Sequence, residues 1–183
     1  MATAVLEPQT TKIMERQVVA LHLAEEVYGL DIAAIHTVIT PQTITTVPKA
    51  PAFVKGVINL RGRILPVIDL RTRFGLPPQS EAQARRARIV IVEADGVSAG
   101  LIVDAVSEVL RLPESAIDAP SQLIASAEAE CITGIGRIPV GRRSGEVKDT
   151  KANGETLGPE ERLIILLDVT TILARDLATM PQA

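Results

Sequence analysis

The strongest constraint on the fold is the stretch at residues 56–74, which reads GVINLRGRILPVIDLRTRF. Two apolar runs, at residues 57–60 and 64–70, flank the triplet RGR at residues 61–63. A short polar link with a glycine between two apolar runs is typical of a β-hairpin, because glycine adopts the positive φ that such turns need. The stretch therefore predicts two adjacent antiparallel strands.

Two residues add detail to this hairpin. Pro66 lies inside the second run and donates no hydrogen bond to a sheet, so we expect its strand to lie at an edge or to carry a bulge there. Asn59 precedes the two arginines of the turn, which makes a polar tip on an apolar scaffold. The tip has two interpretations, a binding feature or an ordinary turn.

The composition indicates an aliphatic core. The chain has 183 residues, of which 46% are hydrophobic, but only 2% are aromatic and none is tryptophan. A core rich in Val, Ile and Leu favours strands. This length fits one domain or two small, closely joined halves.

Charge and apolar runs exclude several kinds of protein. A net charge of −3 argues against a nucleic-acid-binding protein and gives no polybasic segment for anionic lipid. No apolar run approaches the ~20 residues that cross a bilayer, and the first residues lack the form of a secretory signal. The single cysteine, Cys131, suits a reducing compartment and is interpreted as a small buried hydrophobe. We expect a soluble cytoplasmic protein with no direct membrane insertion and no nucleic-acid partner.

The order of apolar runs and turn signals predicts a mainly β chain. Strands or apolar segments are expected at residues 17–23, 27–32, 44–47, 57–60, 64–70, 89–93, 97–103, 105–112, 132–138 and 163–167. A helical turn followed by a strand is expected at 33–39, helical turns at 52–55 and 70–74, a connector at 79–88, and a closing helix at 169–177 capped by Asp168. Residues 1–16 and 177–183 are predicted to be tails, and residues 141–161 a long mobile loop.

The chain also contains an internal duplication. The dipeptide Gly-Leu at residues 29–30 recurs at residues 100–101, and β-branched residues follow at matching offsets, Ile35 and Val38 in the first half and Val106 and Val109 in the second. The segment RILPVIDL at residues 63–70 matches RLIILLDV at residues 162–169. The repeats predict two small β-barrels or curled sheets of about five strands, roughly residues 17–78 and 85–168, that share a hydrophobic seam.

The chain contains few residues that could carry out catalysis. His22 and His36 are the only histidines, and each lies among apolar or β-branched neighbours. Asp69 and Asp168 occupy equivalent positions at the ends of the repeated segments, which favours helix capping over acid–base chemistry. No P-loop, dinucleotide fingerprint or nucleophile elbow is present. We expect a protein that is not an enzyme, with no cofactor and no metal.

The four repeated aliphatic residues, Ile35, Val38, Val106 and Val109, have two interpretations. All four are core residues, or some of them line a groove between the barrels and receive the apolar face of a partner's helix.

Several segments resemble the CheW-like chemotaxis coupling proteins. The matching segments are VYGLDIAAIHTVI, ITTVPKAPAFVKGVINLRGRILPVIDLRTRFG, GVSAGLIVDAVSEVL and ITGIGR. The resemblance runs from about Gln17 to about Ala174, and a CheW-like domain is expected at residues 17–176. The resemblance implies two intertwined five-stranded SH3-like barrels with short helices and a C-terminal helix. It also implies a non-catalytic adaptor in signal transduction that couples the cytoplasmic tips of methyl-accepting chemotaxis receptors to the regulatory domain of a CheA-type histidine kinase, in arrays at the inner face of the membrane.

The resemblance further implies a set of partner-binding residues, which are Ile35, Thr37, Val38, Gly56, Asn59, Arg61, Gly62, Val106 and Val109. Two features depart from the family pattern. Many relatives have a glutamate at the position of Thr37, where it pairs with the arginine that matches Arg61, and most relatives lack the insertion at 141–161. These departures keep one alternative open, a CheW-like paralogue that serves a non-flagellar chemosensory pathway. A small-molecule sensor that uses the groove between the barrels is a further alternative.

Overall fold

The computed structural model describes residues 14–120, 129–139 and 161–178. The strands are β1 (Glu15–Leu23), β2 (Glu26–Asp31), β3 (Ile35–Ile39), β4 (Val54–Leu60), β5 (Arg63–Asp69), β6 (Arg88–Ala94), β7 (Val97–Val103), β8 (Ala105–Pro113), β9 (Ile117–Asp118), β10 (Ile132–Pro139) and β11 (Glu161–Leu167). The α-helices are α1 (Leu70–Arg73), α2 (Glu81–Ala84) and α3 (Val169–Ala178), and 3-10 turns lie at Ile32–Ala34, Glu114–Ala116 and Ala129–Cys131. The mainly β prediction is confirmed.

The strands form two sheets, and each sheet takes strands from both halves of the chain. One has six strands in the order β8-β1-β2-β11-β10-β9, and the other has five in the order β3-β6-β7-β5-β4. The exchange couples the halves through parallel pairs, β11 with β2 and β5 with β7. The expected intertwining is therefore present, and the sixth strand of the larger sheet, β9, has only two residues.

Strand register confirms the duplication. Leu166 lies opposite Gly29 in the β11–β2 pair, and Val67 lies opposite Gly100 in the β5–β7 pair. These two contacts are equivalent under the repeat, because each joins the same position of the repeated segment to the glycine of its Gly-Leu dipeptide. The two edge strands match as well, since Val109 of β8 and Val38 of β3 lie opposite equivalent valines of β1 and β6.

Three clusters make the core. The largest is a seam between the sheets, and it includes Leu21, Leu30, Val90 and Leu101 together with α3 residues such as Ile172. A second cluster fills the interior of the six-stranded sheet, and a third fills that of the five-stranded sheet. The seam is shared by both halves, as the duplication predicts.

Strand β6 shows why the sequence is so aliphatic. Ile89 and Ile91 enter the interior of the five-stranded sheet, whereas Val90 and Val92 enter the seam. A strand that is buried on both faces needs an unbroken apolar run, and β-branched residues pack well on a pleated surface. Strand β1 follows the same pattern in the other sheet.

The five-stranded sheet curls into a barrel. Its edge strands, β3 and β4, lie at opposite ends of the strand order. Nevertheless Ile39 of β3 and Ile58 of β4 belong to the same interior cluster. The two edges therefore enclose one apolar interior, as in the expected SH3-like barrel.

Several local predictions need correction. The strand expected at residues 44–47 is reduced to an isolated bridge between Thr45 and Val57, since prolines on both sides limit its length. The helical turn expected at 52–55 is a single hydrogen-bonded turn, in which the Val54 N–H donates to the Pro51 carbonyl at 2.9 Å, and β4 begins at Val54. The connector at 79–88 contains α2, whose capping box of Ser80 and Gln83 is visible in the sequence as S-x-x-Q.

Pro66 lies in an internal strand, because β5 pairs with both β4 and β7. The prediction of an edge strand is therefore wrong for β5 as a whole. Pro66 pairs with Val57 of β4, but the ladder to β7 begins only at Val67. The β7 side is thus unpaired at the proline, and the bulge lies on the facing strand, between Val54 and Gly56.

The ends of the described segments agree closely with the prediction. Strand β1 begins at Glu15, two residues before the expected start. Asp168 caps α3 as expected, because its Oδ1 accepts a hydrogen bond from the Thr170 N–H at 2.9 Å. The tail at residues 1–13, most of the loop at 141–161 and residues 179–183 lie outside the described residues. Within the described ranges, no helix is long and apolar enough to span a bilayer.

A buried ion pair joins the two halves beside the seam. Arg71 of α1 pairs with Asp104, which follows β7, and both are almost fully buried. The Asp104 carboxylate also accepts hydrogen bonds from the Ala24 N–H at 2.8 Å and from the Gln79 amide. Arg71 donates to the Pro77 carbonyl at 2.8 and 2.6 Å. Because every charge in the cluster has a partner, its burial is tolerated.

A second polar cluster lies where α3 packs on the seam. Arg73 Nε donates to Asp176 Oδ1 at 2.8 Å, and Arg73 Nη2 lies 3.9 Å from the Cys131 Sγ. Burial raises the pKa of Asp176, while the hydrogen bond and charge of Arg73 act against that rise. Burial also raises the pKa of the Cys131 thiol, which keeps the sulfur protonated and unreactive.

We expect Asp104→Ala to lower the free energy of unfolding by about 3–5 kcal/mol, because it leaves the Arg71 charge buried without its carboxylate. The exposed pair of Asp118 with Arg137, at 3.2 Å, provides the control, and Asp118→Ala should cost less than about 1 kcal/mol. Guanidinium denaturation measures both values. Equal losses for the two variants would contradict the role given to the buried pair.

We expect the Cys131 thiol to react with a disulfide reagent such as DTNB far more slowly in the folded protein than in denaturant at the same pH. The thiol is buried and its raised pKa leaves little thiolate near neutral pH. Since the chain has one cysteine, the absorbance change reports this site alone. Comparable rates in the two states would show that α3 does not stay docked on the seam.

Candidate functional site

A pocket of about 270 Å³ opens at one end of the five-stranded barrel. It is lined by His36, Thr37, Ile39, Leu60, Arg61, Arg63, Leu65, Ile91, Glu93 and Ser98. We call it the barrel-end pocket. Leu65 and Ile91 belong to the barrel's interior cluster and Ile39 packs against it, so these side chains form an apolar floor. The polar side chains surround this floor.

Strand β3 contributes two consecutive residues to the pocket because it carries a bulge. Ile35 lies opposite Val92 and Thr37 lies opposite Ile91, so His36 is the extra residue. A bulge interrupts the alternation of side chains between the two faces of a strand. His36 and Thr37 therefore both line the pocket.

The β4–β5 turn presents Arg61 to the pocket. Arg61 and Gly62 have φ values of 53° and 86°, the two positive values that a tight two-residue hairpin turn needs. The Gly62 N–H donates to Asn59 Oδ1 at 2.8 Å, which fixes the turn. Asn59 and Gly62 therefore shape the tip, and Arg61 supplies its charge.

The charges of the barrel-end pocket are unbalanced. Its cations, Arg61 and Arg63, form no ion pair within 4 Å with any residue that the structure describes. Its one carboxylate, Glu93, accepts a hydrogen bond from the Ser98 hydroxyl at 3.1 Å. The structure thus brings Thr37, Arg61 and Glu93 into one pocket, but Glu93 forms no ion pair within 4 Å with either arginine.

Gly56 has a structural role that the geometry makes explicit. Its φ is 141°, and a Cβ at this position would lie 2.1 Å from the Thr45 carbonyl oxygen. Thr45 and Val57 exchange two backbone hydrogen bonds, at 2.9 and 2.8 Å, immediately beside it. Only glycine permits this close approach, which holds residues near Thr45 against β4.

The four repeated aliphatic residues divide into two pairs. Ile35 and Val106 are partly buried and pack against the seam. Val38 and Val109 are 41% and 52% exposed. The exposed pair lies on β3 and β8, each of which ends one of the two sheets. Each sheet thus presents an aliphatic side chain on an edge strand, whose outer backbone groups pair with no strand in the described part of the chain.

Of the ten lining residues, the predicted site contains only Thr37 and Arg61. The polar lining residues that it lacks are His36, Arg63, Glu93 and Ser98, although Arg63 belongs to the turn whose tip has a binding feature as one of its two interpretations. A signal existed for two of them. The Asp-Gly turn at residues 95–96 fixes a two-residue hairpin, and this register places Glu93 directly opposite Ser98. His36 gave no such signal, because the bulge that turns it toward the pocket is not encoded by a local motif.

The barrel-end pocket is suited to binding. Guanidinium groups and hydroxyls can hold an anionic group, and the aliphatic floor can hold a short hydrocarbon segment. Within residues 14–120, 129–139 and 161–178, no group of three or more His, Cys, Asp and Glu side chains could hold a metal ion.

Comparisons with known proteins converge on one family. The family model of the CheW-like domain matches residues 17–177. The chemotaxis protein CheW of Treponema pallidum (strain Nichols) is 31% identical over 132 residues, which cover 71% of this chain and 78% of that protein. The chemotaxis protein CheW of Bacillus subtilis (strain 168) is 28% identical over 166 residues, which cover 90% of each.

The fold also matches a solved structure. The scaffolding protein TtCheW from Thermoanaerobacter tengcongensis aligns with a TM-score of 0.66 and 36% sequence identity. The alignment covers 85% of this chain and 90% of that one. The similarity therefore extends over both sheets rather than over one motif.

We expect Gly56→Ala to lower the free energy of unfolding by about 2–4 kcal/mol, because it adds a strained φ and displaces the Thr45 backbone. Gly75→Ala is the matched control, since Gly75 also has a positive φ, 63°, but no atom within 4 Å of an added Cβ. The control should cost about 1 kcal/mol. Denaturant titration compares them, and a Gly56→Ala protein as stable as the control would show that the close contact relaxes freely.

Proposed function

The chain belongs to the CheW-like family, and from this premise we propose that it works as a chemotaxis adaptor that couples chemoreceptors to a CheA-type histidine kinase. The observation that carries this proposal is the family match over residues 17–177, which includes both sheets. The two sheets are joined by strand exchange, so the adaptor acts as one rigid body. Its contribution to signalling is to hold partners together rather than to catalyse a reaction.

The finer assignment names two partner elements, the cytoplasmic tip of a methyl-accepting chemotaxis receptor and the regulatory domain of the kinase. An adaptor needs separate surfaces for separate partners. The edges of β3 and β8 supply two such surfaces at equivalent places in the repeat, with Val38 on one and Val109 on the other. Exposed aliphatic side chains beside unpaired strand backbone favour docking of a partner.

The other predicted partner-binding residues take their proposed roles from their geometry. Arg61 and Thr37 extend the β3 surface into the barrel-end pocket. Asn59, Gly62 and Gly56 support that surface through the turn and the Thr45 contact. Ile35 and Val106 lie behind the exposed valines on their strands and anchor them to the seam. The proposed location is the cytoplasm, at receptor arrays on the inner face of the membrane.

We expect Val38→Glu and Val109→Glu each to weaken binding of one partner at least tenfold, because docking would bury the new charge against an apolar surface. Binding is measured by calorimetry with the receptor's cytoplasmic fragment and with the kinase from the same genome. Thermal melting should be nearly unchanged, since both sites are exposed.

Val97→Glu is the matched control, because Val97 is also a valine and is 41% exposed, as Val38 is. It should leave both affinities within about threefold. The experiment assigns each partner to a surface. If the wild-type protein binds neither partner, the proposed function is wrong; if it binds both and neither glutamate variant matters, the edge surfaces are wrong.

A further inference from the structure

We propose that the barrel-end pocket receives an acidic side chain of a protein partner, whose carboxylate binds between Arg61 and Arg63. This inference rests on the proposed function and adds the chemistry of one contact.

The charges of the pocket favour a carboxylate as its occupant. Arg61 lies in the β4–β5 turn, Arg63 begins β5, and both side chains line the pocket. Neither arginine forms an ion pair with a described residue. By contrast, Lys55 of β4 pairs with Asp69 at 3.2 Å. The one acid of the pocket, Glu93, is oriented by the Ser98 hydroxyl at 3.1 Å. Two guanidinium groups thus exceed the local negative charge, and a carboxylate is the group they bind best.

The shape of the pocket suits a glutamate side chain. The floor formed by Ile39, Leu65 and Ile91 is apolar, so the methylene groups of a glutamate fit below its carboxylate. The short side chain of Thr37 leaves the pocket open above this floor. A volume of about 270 Å³ accommodates a glutamate side chain.

The pocket is accessible to a docked protein, because it is bordered by β3, an edge strand of its sheet. Among the described residues no strand pairs with the outer side of β3, and Val38 is exposed on the strand itself. A partner docked on this edge can insert a side chain past Thr37. A small molecule would not pair with the exposed strand edge, so this edge favours a protein partner.

The test uses an internal competitor. Thr37→Glu places a carboxylate within the pocket that also holds Arg61, so it should weaken binding of the β3-side partner at least tenfold. Thr37→Gln has a similar shape without the charge and should change the affinity less than threefold. Arg61→Gln should weaken binding about tenfold and reduce its dependence on salt between 50 and 500 mM. Arg85→Gln, an exposed arginine of the connector, is the control and should have no effect.

The partner's acid is found by a double-mutant cycle. Exposed Glu and Asp residues of the partner are changed to Gln and Asn, and one of them should be non-additive with Arg61→Gln, so that the double variant binds no more weakly than either single one. If Val38→Glu abolishes partner binding but Thr37→Glu and Arg61→Gln leave it unchanged, this inference is overturned and the adaptor function stays intact. A thermal shift with millimolar free glutamate, without any effect of Arg61→Gln on partner binding, would assign the pocket to a small molecule and overturn it as well.

Discussion

The structure depends on the parallel contacts that exchange strands between the two halves. Gly29 lies at one of these contacts, where an added Cβ would come within 2.8 Å of the Leu166 side chain of β11. By contrast, a Cβ on Gly100 would come within 2.7 Å of Ile89 on the neighbouring β6. The parallel pairs join strands of both halves in each sheet. Neither half alone could bury its aliphatic faces, so folding of the two is one event. A rigid body of this kind is what an adaptor needs to transmit geometry between partners.

The repeat keeps its core and differs at its surface. Asn59 and Arg137 occupy equivalent places, since each lies opposite the same position of the repeated segment. Arg137 reaches Asp118 of β9 at 3.2 Å, whereas Asn59 accepts a hydrogen bond within its own turn. This divergence fits an adaptor whose two ends bind different partners. The repeat is thus preserved where residues pack in the seam, and it differs at the exposed barrel ends, where the proposed partner contacts lie.

Local chemistry made much of this fold predictable. The Asp-Gly turn at 95–96, the Arg-Gly turn and the capping aspartates depend on a few neighbouring residues, and all form as expected. The repeat and the seam were also predictable, because periodic matches and an aliphatic composition leave few other ways to bury the chain. Which strand of one half joins which sheet was not predictable, since that choice depends on contacts far apart in sequence. The edge-strand prediction from Pro66 was wrong for this reason. The side of β5 that lacks a pairing partner at Pro66 depends on where the β5–β7 ladder begins.

The barrel-end pocket was predictable only in part, and its chemistry follows from one short side chain. An acid at the position of Thr37 would neutralise Arg61 within the free protein, where an exposed pair contributes only about 0–1 kcal/mol. With threonine there, the free protein loses little stability and the guanidinium remains solvated. In a docked complex water is excluded and the apolar floor lowers the local dielectric, so the same charge interacts more strongly with a partner's carboxylate. On the proposed mechanism, threonine at position 37 leaves Arg61 available for a carboxylate of the partner, and this contact at the interface would contribute to the choice of partner.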